Sequence, residues 1–358
     1  MMAIKKDSSK KWNVAVVGAL GMVGTEMIHT LEARDFPIAE LRPLDLPQFE
    51  GTAIGFKGKP VLSKAANAEN FVGVNIAIFS AGAAASKKLA PLAVEKGAVV
   101  VDNSSAWRMD PNCPLVVPEV NPHDLKWHKG IIGNPNCSTI QMMVALKPLH
   151  DFAHIKRIVV STYQAASGAG KAAYDELEQQ TREVLAGDKP TVEKFSHQLA
   201  FNVIPHIDVF EEGNYTKEEW KMVYETRKIL GDDSIRVTAT AARVPVFYCH
   251  SEAVNIETEV KLTPEKAREL LENAPGVQVL DNVSEFQYPM PILAAHKDAT
   301  FVGRIREDFS IENGLNLWVV SDNIRKGAAL NAVQIAEAMV DMDLVDEKSW
   351  AGKYLGES

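Results

Sequence analysis

Apolar runs and amphipathic stretches alternate over the first third of the chain. The Val-rich run NVAVVG at 13–18 has the composition of a strand buried on both faces. A helical pattern follows over about 22–32. Residues 75–80 (NIAIFS) predict a second such strand, then a small-residue turn and a helix over about 84–95; residues 98–102 (AVVVD) predict another strand. Strands alternating with helices predict a parallel sheet covered by helices. The pattern changes near residue 134. An apolar helical stretch over 140–149 is followed by longer strands at 157–163, 235–241, 251–262 and 315–321. Several of these alternate polar with apolar residues, as a one-sided antiparallel or mixed sheet does. The segment 171–188 is polar and helical, and a final amphipathic helix is expected over about 325–342. No internal repeat is visible.

Composition narrows the class. The chain has 358 residues, enough for two domains at roughly 100–200 residues each. Lys and Arg number 38 against 47 Asp and Glu, a net charge of −9, which argues against a nucleic-acid partner that needs a basic face. No run reaches the ~18 apolar residues of a membrane span, and the basic start MMAIKKDSSKKW lacks the apolar stretch of a signal peptide. No membrane partner and a cytoplasmic location are therefore expected. The cysteines are Cys113, Cys137 and Cys249, too few and too odd in number for a disulfide framework. A free thiol is available for chemistry.

Three local patterns carry chemistry. GALGMVG sets Gly18, Gly21 and Gly24 three residues apart, directly after a strand and opening a helix. That context suits close approach of a pyrophosphate to backbone N–H groups at a helix start, although such a loop also serves as a bare turn. Ser80, Ala81 and Gly82 end another strand and would face the same crevice. Cys137 lies in GNPNCST, where Pro135 and Asn136 read as a turn and Ser138 and Thr139 as a first helical turn. A thiolate there would be stabilised by the helix dipole; a buried, inert thiol is the competing reading, and it suits Cys113 and Cys249 better. His250 and Arg243 in RVPVFYCHSE are a candidate base and carboxylate clamp, although a His and an Arg on a strand are more often structural.

These segments, with FSAG, SSAWRM, STYQAASGAG, FNVIPHID, YTKEEWK and DNIRKGAALNAVQIAE, occur in an order that resembles the aspartate-β-semialdehyde dehydrogenases over about residues 13–341. The resemblance implies an α/β enzyme. Residues 1–136 with 324–358 would form a Rossmann-type dinucleotide-binding domain on a parallel sheet; 137–323 would form an α+β catalytic and dimerisation domain with a mixed sheet. The implied reaction is reductive dephosphorylation of β-aspartyl phosphate to aspartate semialdehyde, in lysine, methionine, threonine and diaminopimelate biosynthesis. Cys137 matches the nucleophile that forms an acyl-thioester, and His250 the general acid/base. Gln164 matches a residue that orients the substrate, Arg243 the clamp on its α-carboxylate, Glu218 a contact toward its amino group. Arg108 and Lys221 match the phosphate-binding cations, and Asn136 a neighbour of the acyl phosphate. Gly18, Leu20, Gly21, Met22, Val23, Gly24, Ser80, Ala81, Gly82, Ser167, Gly168 and Asn323 match cofactor contacts. No metal is implied, and the partners are aspartate semialdehyde, phosphate and β-aspartyl phosphate in a homodimer or homotetramer.

Two departures stand out. Many members read LASxRSAG after the second strand, where Ser and Arg meet the 2′-phosphate of NADP. Here LRPLDLPQFEG puts Leu46, Gln48 and Phe49 at those positions and adds Asp45. A carboxylate there accepts from a ribose 2′-hydroxyl and repels a 2′-phosphate, so NAD is expected as well as, or instead of, the NADP that the family implies; the alternative is that Asp45 caps a turn. Cys249 stands where many members have a small residue, and oxidative pairing with Cys137 is one expectation for it. A related thiol-dependent acyl-phosphate reductase with another substrate is the alternative function.

Overall fold

The computed structural model describes residues 10–346, and within it the chain divides into two compact units, one running up to Pro135 and resuming at Ala328, the other Asn136–Gly327. In the first unit, β1 (Trp12–Val17) leads through the glycine loop into α1 (Met22–Ala33) and β2 (Ile38–Asp45). A small antiparallel hairpin, β3 (Ala53–Phe56) and β4 (Lys59–Leu62), precedes β5 (Lys64–Ala65). Then come β6 (Ile76–Phe79), α2 (Ala83–Glu95), β7 (Val99–Asp102) and β8 (Ile131–Gly133). The sheet order is β5-β2-β1-β6-β7-β8, with every neighbouring pair parallel. Parallel strands need crossovers, and those helices bury both faces, which is why β6 and β7 are fully buried and apolar up to Asp102, the last residue of β7.

The last helix, Leu330–Asp341, returns to this unit and packs against α1, β6 and β7. Its Leu330, Val333, Ile335 and Met339 are buried, each worth about 1.5–3 kcal/mol as an upper bound. Arg34, the C-cap of α1, donates to both carboxylate oxygens of Glu337 at 2.6 and 2.7 Å, a bidentate pair that fixes the approach of the two helices. Asn331 Nδ2 donates to the Val116 carbonyl and to Asn134 Oδ1. The helix expected over about 325–342 starts differently: Arg325–Ala329 form a π-helical turn before regular α geometry begins.

The second unit opens with α3 (Cys137–Ala153) and continues through β9 (Ile155–Gln164), α4 (Lys171–Ala186), α5 (Lys217–Leu230), β10 (Arg236–Arg243) and β11 (His250–Thr258). It closes with α6 (Pro264–Glu272), β12 (Val277–Val279), α7 (Pro291–Ala294), β13 (Thr300–Asp308) and β14 (Gly314–Ser321). The sheet, ordered β10-β9-β11-β14-β13-β12, is mixed: β9 with β10 and β12 with β13 are parallel, the rest antiparallel. Along β11 every second residue from His250 is buried, and α3, α5 and α6 pack on the sheet. On the alternate positions Tyr163 is exposed while Ser161, Ala253, Asn255 and Trp318 are half-buried. The strand expected over 251–262 ends at Thr258, because Glu259 and Val260 turn their N–H groups to the last carbonyls of α3.

The register of this sheet places the chemistry. Parallel β9 and β10 end together, with Gln164 opposite Arg243, and antiparallel β11 begins at the same edge with His250. Three side chains far apart in sequence therefore emerge at one end of the sheet.

Candidate active site

The thiol is positioned by a helix cap. Pro135 disfavours helical geometry in the residue before it, and Asn136 takes extended backbone angles as the N-cap of α3. Its Oδ1 accepts from the N–H groups of Ser138 and Thr139. Cys137 is then the first residue of the helix, half-exposed, with Sγ 3.2 Å from Nε2 of the fully buried His250. A Cβ at Gly327 would come within 2.8 Å of Cys137 Cβ, so only glycine leaves the thiol its place.

The imidazole is held by backbone. Nδ1 of His250 accepts the N–H of Ala165 at 3.1 Å. In a neutral ring the proton must then sit on Nε2, directed at Cys137 Sγ. Burial, and then the Arg243 charge, hold the imidazole down to about 3, outweighing the opposing pull of Glu218 and the Cys249 backbone. Arg243 is itself buried, donates to the Ala165 carbonyl at 2.7 Å, and burial lowers its pKa. Gly168 covers this pair: a Cβ there would lie 2.9 Å from both Arg243 Nη1 and His250 Cε1.

A second cluster is centred on Glu218 of α5, 4% exposed. Thr216 and Glu219 form a capping box that starts this helix, and Glu219 Oε1 also accepts the Ala241 N–H of β10. Glu218 Oε1 accepts from Asn136 Nδ2 (2.9 Å) and Gln164 Nε2 (3.1 Å), and Oε2 from Lys221 Nζ (3.0 Å). Burial opposes ionisation, but the Lys221 charge and these three donors prevail and hold the carboxyl at about 2. Lys221 is raised in turn: burial works against its charge, and Glu218 and Asp208 overcome it.

Other expected residues have definite places. Asn323 Nδ2 donates to Ser167 Oγ, and Asn323 Oδ1 accepts the N–H of Cys249, whose backbone is left-handed at φ +72°. Ser167 and Asn323 are thus buried and bonded to each other, and Asn323 also holds the backbone next to His250. Cys249 Sγ donates to the Pro291 carbonyl, and burial followed by the Asp322 charge pushes its thiol pKa far up. It is not poised for the expected pairing with Cys137, because its sulfur is directed elsewhere and stays protonated. Cys113 is a buried structural thiol.

In the first unit the glycine loop meets the demands of a dinucleotide. Gly18 has φ +80° and a Cβ on it would lie 2.6 Å from the Ser80 carbonyl oxygen; one on Gly24 would lie 2.0 Å from Gly18 O. The α1 N-cap, Gly21, has no side-chain cap, so the first N–H groups of α1, from Met22 and Val23, stand as a cradle for an anion. Asp45 is buried at the end of β2, with Oδ2 accepting the Leu20 N–H (2.9 Å) and Oδ1 that of Leu46 (2.8 Å). The turn-capping alternative therefore describes its present bonds, while each oxygen keeps a second lone pair. Leu46 and Phe49 are exposed, as is Gln48. Arg108 is buried, with Nη2 donating to the Asn103 carbonyl. Nothing in the sequence pattern singled out Ala165, Asp208 or Glu225, whose Oε2 accepts the Asn136 N–H at 2.6 Å. Ala165 acts through its backbone and the other two through contacts made by distant segments.

A family model described as semialdehyde dehydrogenase, NAD binding domain, matches residues 13–128, and one described as semialdehyde dehydrogenase, dimerisation domain, matches 146–326. The aspartate-semialdehyde dehydrogenase of Aquifex aeolicus (strain VF5) is 58% identical over 338 residues, covering 93% of this chain and 99% of that one. The chain belongs to the aspartate-semialdehyde dehydrogenase family. The enzyme of that name from Bacillus subtilis is 50% identical over 93% of this chain and 99% of its own. The crystal structure of aspartate semialdehyde dehydrogenase II from Vibrio cholerae, complexed with ASA, superimposes with a TM-score of 0.91 at 49% identity, covering 93% of this chain and 99% of that one. This family member is thus an oxidoreductase with an NAD(P)-binding α/β domain and a mixed-sheet second domain. No helix among its described residues is long and apolar enough to cross a membrane.

The depressed imidazole has a consequence for folding. A folded protein whose histidine has a pKa of about 3, against 6.5 for the free group, binds fewer protons than its unfolded chain, so stability falls as pH drops from 6.5 toward 3. His250→Gln removes this loss. Its melting temperature is expected to fall less than that of the wild type between about pH 7 and about pH 5; an equal or larger fall would show that His250 is not held neutral.

Proposed function

We propose that this chain catalyses the NAD(P)H-dependent reductive dephosphorylation of β-aspartyl phosphate to aspartate semialdehyde and its reversal, with Cys137 as nucleophile. The observation that carries the assignment is the 3.2 Å approach of His250 Nε2 to a thiol at the first residue of α3. The tautomer imposed by Ala165 makes His250 a hydrogen-bond donor to sulfur, which favours the thiolate as attacking group and as leaving group. Attack forms the carbon–sulfur bond of a thioester and breaks the carbon–oxygen bond to phosphate, which leaves with the electron pair and ends with the proton given up by the thiol. The Ser138 and Thr139 N–H groups are already taken by Asn136, so helix-start amides are a weaker source of oxyanion stabilisation than the His250 N–H. When bound, the nicotinamide donates or accepts the hydride. His250 then hydrogen-bonds to the sulfur as the carbon–sulfur bond breaks and the aldehyde leaves.

The charged groups suit this substrate one for one. Arg243, buried beside the base, takes the α-carboxylate through its planar fork. Glu218, ionised and held by two amides, faces the amino group. Lys221 takes the phosphate, with Asn136 and Gln164 orienting the acyl group, and Arg108 is assigned to the phosphate on the resemblance. The glycine loop, with Leu20, Met22 and Val23, holds the cofactor pyrophosphate; Ser80, Ala81, Gly82, Ser167, Gly168 and Asn323 are assigned to its remaining contacts. Asp45, with a lone pair left on each oxygen and neutral Leu46, Gln48 and Phe49 after it, supports use of NAD alongside NADP. The alternate face of the second sheet, with Tyr163 exposed, supports a homodimer in which a second copy covers it. Free thiols suit a reducing cytoplasm.

Three measurements test this reading. Cys137→Ala is expected to lower kcat by at least about a thousandfold in an assay with aspartate semialdehyde and phosphate, and near-wild-type turnover would overturn the assignment. With NADPH and NADH compared at subsaturating concentrations, kcat/KM is expected to agree within about tenfold, whereas a preference for NADPH beyond about a hundredfold would refute the inference from Asp45. Sedimentation velocity should find a dimer or a larger assembly, and a monomer at micromolar concentration would remove the homodimer.

A further inference from the structure

Lys221 carries more negative charge than it needs. Its ammonium donates to Glu218 Oε2 at 3.0 Å and to Asp208 Oδ2 at 2.9 Å. Glu218 alone suffices to orient it: the two residues are three apart on one helix, and Glu218 is buried and anchored by Asn136 and Gln164. Asp208 differs on each count. It lies outside the regular elements, on a short arch pinned at one end by the bridge of Ile204 to Arg243 and at the other by that of Phe210 to Thr216. Its backbone is left-handed at φ +69°, and its side chain is 32% exposed. Its Oδ1 accepts the N–H of Val209, which closes the turn. Two carboxylates share this one ammonium, with Lys217 as a further cationic neighbour of Asp208 and Arg243 of Glu218, at a place where an anion must arrive.

We infer that Asp208 is an internal counter-anion that occupies Lys221 until the substrate's phosphate, or inorganic phosphate in the oxidative direction, takes its place. This rests on the reading of Lys221 as a phosphate cation and deepens it. Asp208 sets how strongly that cation attracts oxyanions. Phosphate must compete with a carboxylate already bound, so bystander anions that bring fewer compensating contacts are held off. The arch suits the role, because its two ends are tied to the rest of the unit and the stretch between them carries the carboxylate on a half-exposed side chain.

The test varies phosphate at saturating aspartate semialdehyde and cofactor. Asp208→Asn keeps the oxygen that accepts from Val209 and tolerates the left-handed backbone. It is expected to lower the phosphate KM about two- to fivefold, the range of a half-exposed ion pair, to strengthen inhibition by sulfate by a similar factor, and to leave the KM for aspartate semialdehyde in place. Added salt should shrink the difference from the wild type. Asp208→Ser, a second turn-compatible change, should behave alike, and Asp208→Glu should stay near the wild type. An unchanged or raised phosphate KM in both neutral variants overturns the inference. Lys221→Met separates the two ideas. If it raises the phosphate KM while the neutral Asp208 variants do not lower it, only the counter-anion fails; if it leaves the phosphate KM unchanged, the reading of Lys221 itself fails.

Discussion

A carboxylate taken out of water costs several kcal/mol unless it is met by charge and by donors, and the site is organised around meeting that cost at Glu218. Each group that neutralises it also has a part in the proposed chemistry. Asn136 donates an amide N–H to Glu218 while its oxygen caps the helix that Cys137 begins. Gln164 comes from the end of β9, and Lys221 from the next turn of α5. The carboxyl stays ionised down to about 2 because all three converge. Loss of any one of them leaves a buried charge short of a partner, so the precision of the site and the stability of the unit are the same requirement.

His250 is built on the opposite principle. His250 is kept without charge in a wholly buried place, and the neighbouring guanidinium of Arg243 helps to keep it so. An ionised Glu218 and a neutral His250 in one unit separate two roles that a shared environment would blur: one group binds charge, the other passes a hydrogen bond to sulfur. Asn323 supports this arrangement from behind, by holding the left-handed backbone of Cys249 next to the imidazole.

Much of this was legible in the chain. NVAVVG and AVVVD announce buried parallel strands because both faces are covered, and GALGMVG announces its turn because Gly18 and Gly24 approach backbone too closely for any Cβ. Cys137 is legible because Asn136 is a strong cap residue directly after a proline. Helix α5 carried an equally clear signal in Thr216 and Glu219, the capping-box spacing, which the mostly polar sequence after it obscured. The limits of β11 were less readable, since Glu259 and Val260 continue the apolar–polar alternation but are drawn off by carbonyls of α3. Asp45 shows why a carboxylate's position does not give its partners: its two bonds go to backbone N–H groups that no side-chain pattern reports. The same holds for Cys249, whose neighbour in sequence is His250 and whose sulfur bonds in space to the Pro291 carbonyl.

The hydrogen bond from the Ala165 amide to His250 leads to one more conclusion. The atom that chooses the tautomer belongs to the peptide unit, and every L-amino acid except proline supplies the same atom. Replacing side chains one at a time along this loop would therefore record position 165 as a space-filling methyl group and miss its chemical part. In this enzyme the map of mutable side chains and the map of atoms that set protonation do not coincide next to His250.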